Sequence, residues 1–460
     1  MQKPWLALVF LSLAFAAAAS AQTIAVTNAR ILPISGPPIE RGVLVVQSGK
    51  VLAVGANVEI PANASVIDAT GKVVMPGLVD THSHIGGVAG ADGSGPIQPD
   101  VRVLDSLNAL DSGYRRAVAG GLTTLNVMPG SGHLLSGQTL YVKLRPGITM
   151  DALAIRDAAG NIMGGLKMAN GTNSIGAPPF SGTRGKSAAL IRERFIKAQE
   201  YKAKLAAAAA KPDAKAPDRD IGLEAIVEVL DGKRIVHHHT HRADDIITVL
   251  RLQREFGFRV VLQHVSEAWK VAGEIAAAEK DTGGKVLGCS VIVIDSPGGK
   301  LEAAEMSLET GAVLEKAGGT VAFHTDDWIT DSRLFLRSAS LAVRAGMSRD
   351  NALRALTIVG ANMLDLGDRV GSLEPGKDAD FIILSGDPLS VYTHVEQTWV
   401  EGQKVFDRSD PQDRLHATGG YGAGRDQVPY MCCAVQGFSF GGTQWTTNSQ
   451  GTTGGQGGGQ

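Results

Sequence analysis

Short apolar runs rich in β-branched residues open the chain beyond residue 22: TIAVTNARILPI, GVLVVQSGKVLAVG and ASVIDATGKVVMPG, separated by Gly, Asn and Pro. That pattern predicts a small β unit. A similar signature returns late, in GKDADFIILSGDPL and HVEQTWVEGQKVFD, so two β segments flank a long middle. From about Pro76 to Arg369, strand-like runs (LVDTHSHI, TTLNVM, RIVHHHTH, RVVLQHV, KVLGCSVIVI, TVAFHTD) alternate with helical stretches such as DDIITVLRLQREFG and DNALRALTIVGANMLDLG. Such alternation predicts an α/β fold with a parallel sheet and crossovers, either open and doubly wound or closed as a (β/α)8 barrel. The middle is somewhat longer than the roughly 250 residues typical of the barrel, which leaves room for insertions. One is visible at residues 187–220, where an Ala/Lys-rich helical run breaks into a Pro/Asp/Lys linker, SAALIRERFIKAQEYKAKLAAAAAKPDAKAPDRD.

The two ends read differently. MQKPW carries one positive charge, LALVFLSLAFAAAA is apolar, and Ala19-Ser20-Ala21 offers a small-residue cleavage site before Gln22. Residues 1–21 therefore read as a secretory signal peptide, because the apolar run is shorter than the roughly 20 residues of a span. The expected location is periplasmic or secreted, with no membrane span in the mature chain. From residue 409 to 460 the chain is Gly-, Gln- and Thr-rich and is expected to be a flexible tail.

With 460 residues, 44% hydrophobic and 20% charged, the chain can bury one large domain and a smaller one. A formal net charge of -2 without a basic block argues against nucleic acid as a partner. Cys289, Cys432 and Cys433 make no disulfide framework, although Cys289 could pair with either neighbour of the adjacent pair.

Candidate chemistry gathers at the ends of the apolar runs. In VMPGLVDTHSHIGG, His82 and His84 lie two apart on one strand face, a chelating spacing. IVHHHTHRADD places four of eleven histidines in five positions; His237, His239 and His241 share a face, and His238 takes the other. His264 in VVLQHVSEA and Asp326 in VAFHTDD follow. In a (β/α)8 barrel the C-terminal ends of the strands converge on one face, so these residues would meet there. Four histidines and a carboxylate suit Zn²⁺ or another imidazole-binding divalent ion. The loop MPGSGHLLSGQT offers His133 and Gln138 for substrate contact among glycines that permit tight turns, and it lacks the Lys-Ser/Thr ending of a phosphate loop.

Pro76-Gly77-Leu78 followed by Asp80 and His82-Ser83-His84 resembles the first-strand signature of the amidohydrolase superfamily of metal-dependent hydrolases. GSLEPGKDADFIILSGDPL resembles that family's return into a small β-sandwich, and GLKMANGTN, TRGKSAALIRERFIKAQEY and HRADDI resemble its imidazolonepropionase-like subgroup. The resemblance covers roughly residues 23–408. It implies a (β/α)8 TIM barrel at 76–369 and a composite β-sandwich built from both chain ends, 22–75 and 370–408. It also implies one or two divalent ions, Zn²⁺ first among them. By the same resemblance His82, His84, His239 and His264 are ligands, with His241 the register alternative to His239. Asp326 is the carboxylate and base, with Asp327 beside it as the alternative, and Lys167 is the candidate bridge, carbamylated if burial strips its proton. Glu267 is a second acid/base or a partner that fixes a histidine. His324 and Arg242 are candidate substrate contacts. The implied activity is hydrolysis of a C–N bond in a small amide, peptide-like or cyclic substrate, dipeptides included. The rivals are a ring-amidine deaminase, a lactonase and a non-catalytic metal-binding protein of the same fold.

Overall fold

The computed structural model describes residues 22–87, 92–211, 215–293, 300–327, 329–419 and 423, with the backbone of 439–440 and 443–444. The signal-peptide reading at 1–21 and the Cys432-Cys433 pair lie outside the described residues. Cys289 is a buried free thiol. No helix among the described residues is long and apolar enough to cross a membrane.

The strands in chain order are β1 (Thr23–Ile31), β2 (Ile39–Gln47), β3 (Lys50–Gly55), β4 (Ser65–Asp68), β5 (Val73–Pro76), β6 (Leu78–Ser83), β7 (Leu122–Val127), β8 (Leu135–Gln138), β9 (Leu140–Lys143) and β10 (Leu166–Ala169). They continue with β11 (Val236–Thr240), β12 (Val260–His264), β13 (Val286–Val291), β14 (Val321–Phe323), β15 (Phe381–Leu384), β16 (Val395–Val400) and β17 (Gln403–Asp407). Both chain ends share one sheet, in which β5 pairs with β15 from Val73↔Leu384 to Pro76↔Phe381. Its core is separate from the main one and includes Ile24, Val26, Leu44, Val46, Phe381 and Trp399, the last two stacked at 5.4 Å. Alternation in β1 and β2 supplies the inward face, as the period of two requires.

In the middle of the chain, β10 to β14 run parallel in sequence order, and β6 pairs in parallel with β7. The bridge Ser83↔Asp327 joins β6 to the end of β14. Between β7 and β10 the prediction of an all-parallel sheet is wrong. β9 pairs antiparallel with β7 and β8 antiparallel with β10, so residues 135–143 run backwards between two parallel neighbours. Part of what reads as a glycine loop, LSGQ, is therefore strand β8. Gly137 is required there: its φ is +128, and a Cβ would lie 2.5 Å from the Val101 carbonyl oxygen.

The Ala/Lys-rich insertion is a helix, Arg184–Ala209, capped by the Thr183 hydroxyl at Lys186 N, 3.2 Å away. Its buried positions Ala188, Ile191, Phe195 and Ala198 recur at helical spacing, and Phe195 packs on Phe256 and Phe258 at 5.0 and 5.4 Å. The segment is part of the core rather than a loose appendage. Regular structure also runs past residue 408, into the helix Pro411–Thr418 that Asp410 caps, where the composition predicts a flexible tail; most of the rest of 409–460 lies outside the described residues.

One buried ion cluster ties β9 to the shared sheet. Lys143 Nζ donates to Asp378 and Asp380 at 2.8 Å each, all three side chains being almost wholly buried. Burial opposes the Lys143 charge, but the two carboxylates outweigh it and raise its pKa. Burial likewise opposes the Asp378 charge, yet Lys143, Lys50 and Arg369 bring that carboxyl down from 3.8 to about 2. A depressed acid stabilises the fold above its unfolded value, so this contribution is lost as pH falls from 3.8 toward about 2. Lys143→Met, which leaves buried Asp380 without its cation and Asp378 with only Lys50 and Arg369, is expected to cost about 3–5 kcal/mol in urea denaturation at neutral pH. A midpoint within error of wild type would contradict the role given to this cluster.

Candidate metal centre

The sequence-predicted histidines meet where β6, β11, β12 and β14 end. His82 is fully buried, and its Nε2 lies 3.3 Å from His84 Nε2, 3.4 Å from Asp326 Oδ1 and 3.0 Å from Lys167 Nζ. His84 Nε2 lies 3.0 Å from the same carboxylate oxygen. His264 Nδ1 stands 3.7 Å from Asp326 Oδ2, and the His239 and His264 rings are 4.4 Å apart. Strand geometry alone does not aim these side chains. His264, Val265 and Asp326 have φ of 70, 46 and 46, a left-handed conformation that costs non-glycine residues on the order of 1–3 kcal/mol each. Backbone hydrogen bonds hold it, from Val265 N to Thr240 O at 2.9 Å and from Asp326 N to His82 O at 3.0 Å.

His84, His82 and His264 are each oriented by a contact to Nδ1. His84 Nδ1 meets the Met128 carbonyl at 2.8 Å, and His82 Nδ1 meets Gln263 Oε1 at 3.3 Å. Thr81, Ser290 and His324 form a chain of 2.6 and 2.9 Å contacts that ends with His324 Nε2 3.0 Å from His264 Nδ1. This leaves His264 Nε2 buried with no hydrogen-bond partner, and His239 Nδ1 is in the same condition. Buried imidazole nitrogens without partners are costly unless a cation takes them. The donor set fits a divalent metal, with His82, His84 and Asp326 converging as one group of potential ligands.

The charge states agree with ligation. Burial raises the Asp326 pKa, but the surrounding His264, His82 and His84 outweigh it and hold the carboxyl well below its usual range. Burial keeps His82, His239 and His264 far below the ordinary imidazole value, hence neutral and able to donate a lone pair. Lys167 is drawn down to about 7, by burial first and by Lys300 in addition, against the opposing pull of Asp326.

Other expected residues take different places. Asp327 turns away from the cluster, and Ser332 donates to it at 2.9 Å. His237 lies deeper, against Tyr141 and Gln263, and His238 is buried on the opposite face with Nδ1 near the His239 carbonyl. His241 joins the cluster as well: its Nδ1 meets Ser266 Oγ at 2.7 Å, and it stacks 5.1 Å from His264. His324 touches His264 and is fully buried, which makes it a positioning residue rather than an open substrate contact. Glu267 accepts from Ala243 N at 2.9 Å and pairs with Lys270, so it caps the helix Ala243–Phe256 and orients no ligand histidine. Arg242 pairs with Asp244 at the surface, and Gln138 donates to the Pro99 carbonyl. His133 packs on Phe180 at 5.2 Å. Sequence reasoning missed Lys300 and Glu302, which stand beside His239 and His241; their position after the SVIVI strand was the available signal.

Comparison with known proteins places the chain in context. The amidohydrolase family model matches residues 73–406. The crystal structure of an amidohydrolase from Thermotoga maritima is 35% identical, with a TM-score of 0.76 over 84% of this chain and 100% of its own. Amidohydrolase tasK of Hapsidospora irregularis is 26% identical over 82% of this chain, which spans 40% of that protein's length. A 5-methylthioadenosine/S-adenosylhomocysteine deaminase of Symbiobacterium thermophilum is 23% identical over 80% of this chain and 86% of its own.

If His324 acts by fixing the His264 tautomer, His324→Phe should lower divalent-metal affinity by about 10- to 100-fold in a chelator competition assay. Unchanged affinity would remove it from the metal centre.

Proposed function

The chain belongs to the amidohydrolase family, and we propose from that premise that it hydrolyses a C–N bond of an amide, peptide-like or cyclic-amide small molecule. The observation that carries the reading is the convergence of His82, His84 and Asp326 as one group of potential ligands, beside imidazole nitrogens that have no other partner. The scaffold is read as an eight-stave (β/α)8 barrel whose third stave is reversed, carrying a composite β-sandwich. A divalent ion in this donor set, Zn²⁺ by preference, supplies Lewis acidity that lowers the pKa of a coordinated water to about 7.

The chain's own residues do the rest. Asp326 Oδ1 faces His82 and His84, whereas Oδ2 has only His264 Nδ1 at 3.7 Å, so Oδ2 is the oxygen placed to take the proton of the attacking water and return it to the leaving nitrogen. Met128, Gln263 and His324 hold the ligand rings in place, which spares reorganisation at the moment of reaction. Burial draws the Lys167 ammonium down to about 7, so its amine is able to take up CO2 as a carbamate, releasing a proton, and so add an oxygen donor. The similarity to a named deaminase favours one second reading, attack on a ring amidine at the same centre. Product analysis separates the two: amide cleavage gives a carboxylate and an amine, whereas deamination gives ammonia. We further propose export, on the strength of the signal-like residues 1–21; N-terminal sequencing of the mature chain should then begin at Gln22.

Screening N-acyl amino acids, dipeptides and cyclic amides should find turnover. Asp326→Asn should reduce it by at least about 100-fold without unfolding the protein. Undiminished turnover in that variant would overturn the assignment of the base.

A further inference from the structure

Beside the first donor set stands another. One ligand atom from each of His239, His241 and Glu302 lies within 4.8 Å of the others, and all three residues are at least nine-tenths buried. His241 Nδ1 is occupied by Ser266 Oγ at 2.7 Å, which leaves its Nε2 as the donor. Glu302 is pinned by its other oxygen: Thr172 N donates to Oε2 at 2.7 Å, and Arg184 approaches the same atom at 3.5 Å. Gly171 admits the carboxylate, because a Cβ there would lie 2.6 Å from Oε2. Two imidazoles and a carboxylate held this way are a cation site by their chemistry.

An ammonium group already stands in it. Lys300 Nζ is 2.8 Å from Glu302 Oε1 and 3.3 Å from His239 Nε2. We propose that Lys300 is the resident cation of this second donor set, so that the wild-type chain holds a single divalent ion at the His82, His84 and Asp326 group and excludes another. This rests on the metal-centre reading above and settles its ion count. A second ion would have to displace the ammonium from the only carboxylate in the set and then sit beside its charge. Lys300 side-chain exposure of 26% gives it a route toward solvent, so the exclusion is competitive rather than absolute.

The test is metal stoichiometry by elemental mass spectrometry on the full chain, loaded with Zn²⁺ and freed of excess by gel filtration. Wild type should hold about one ion and Lys300→Met about two, whereas Lys300→Arg, which keeps the charge, should hold one. The double variant Lys300→Met/Glu302→Gln should fall back to one. Thermal melting checks the fold of each variant, and Lys300→Gln replaces Lys300→Met in the series should the latter fail to fold. Two ions in wild type, or no gain in the uncharged variant, would overturn the inference and leave the metal-centre reading intact. No ion in wild type with one gained in Lys300→Met would sustain the exclusion by Lys300 but overturn both the single-ion count and the first site. No ion in either would overturn both.

Discussion

Buried imidazole around a buried carboxylate is the constraint on which the rest depends. His82, His239 and His264 are withdrawn from water and held neutral, and Asp326 stays ionised among them. Left alone, such an arrangement is unfavourable, because nitrogens such as His264 Nε2 and His239 Nδ1 have given up hydration without gaining a partner. A cation bound among these donors would offset that cost. The fold then reads as the means of keeping these donors together despite that cost.

Two devices serve that purpose. At the strand ends, left-handed backbone at His264, Val265 and Asp326 breaks the alternation by which an extended strand sends successive side chains to opposite faces. Behind the strands, both chain ends close into one sheet, and Lys143 clamps β9 to Asp378 and Asp380. Gly77 marks the crossing between the two units: a Cβ would lie 2.3 Å from Thr123 Cγ2, so only glycine lets β5 pass directly into β6 at this separation. The chain thus leaves the shared sheet and enters the ligand strand within two residues.

The ligand strands were legible because each announces itself as an apolar run ending in His or Asp, a local pattern that needs no knowledge of neighbours. The two-residue period correctly separated His239 and His241 from His238. Strand direction was not legible: a reversed strand has the same alternation, and LLSGQTLYVK carries no mark of running antiparallel between β7 and β10. Roles that depend on a distant partner were equally hidden. His324 reads as a site residue, but its tie to Ser290 and Thr81 crosses 34 and 243 positions of sequence and fixes it as a support for His264. Lys300 and Glu302 carry no motif, and only the folded chain brings them to His239.

The most direct test of the central claim is the metal content of the mature wild-type chain, purified without chelator, measured beside the double variant His82→Ala/His84→Ala. The account predicts stoichiometric divalent metal in the wild type and its loss in a double variant that still folds. A wild-type chain that is metal-free and cannot be reconstituted, or a double variant that keeps its metal, would contradict it.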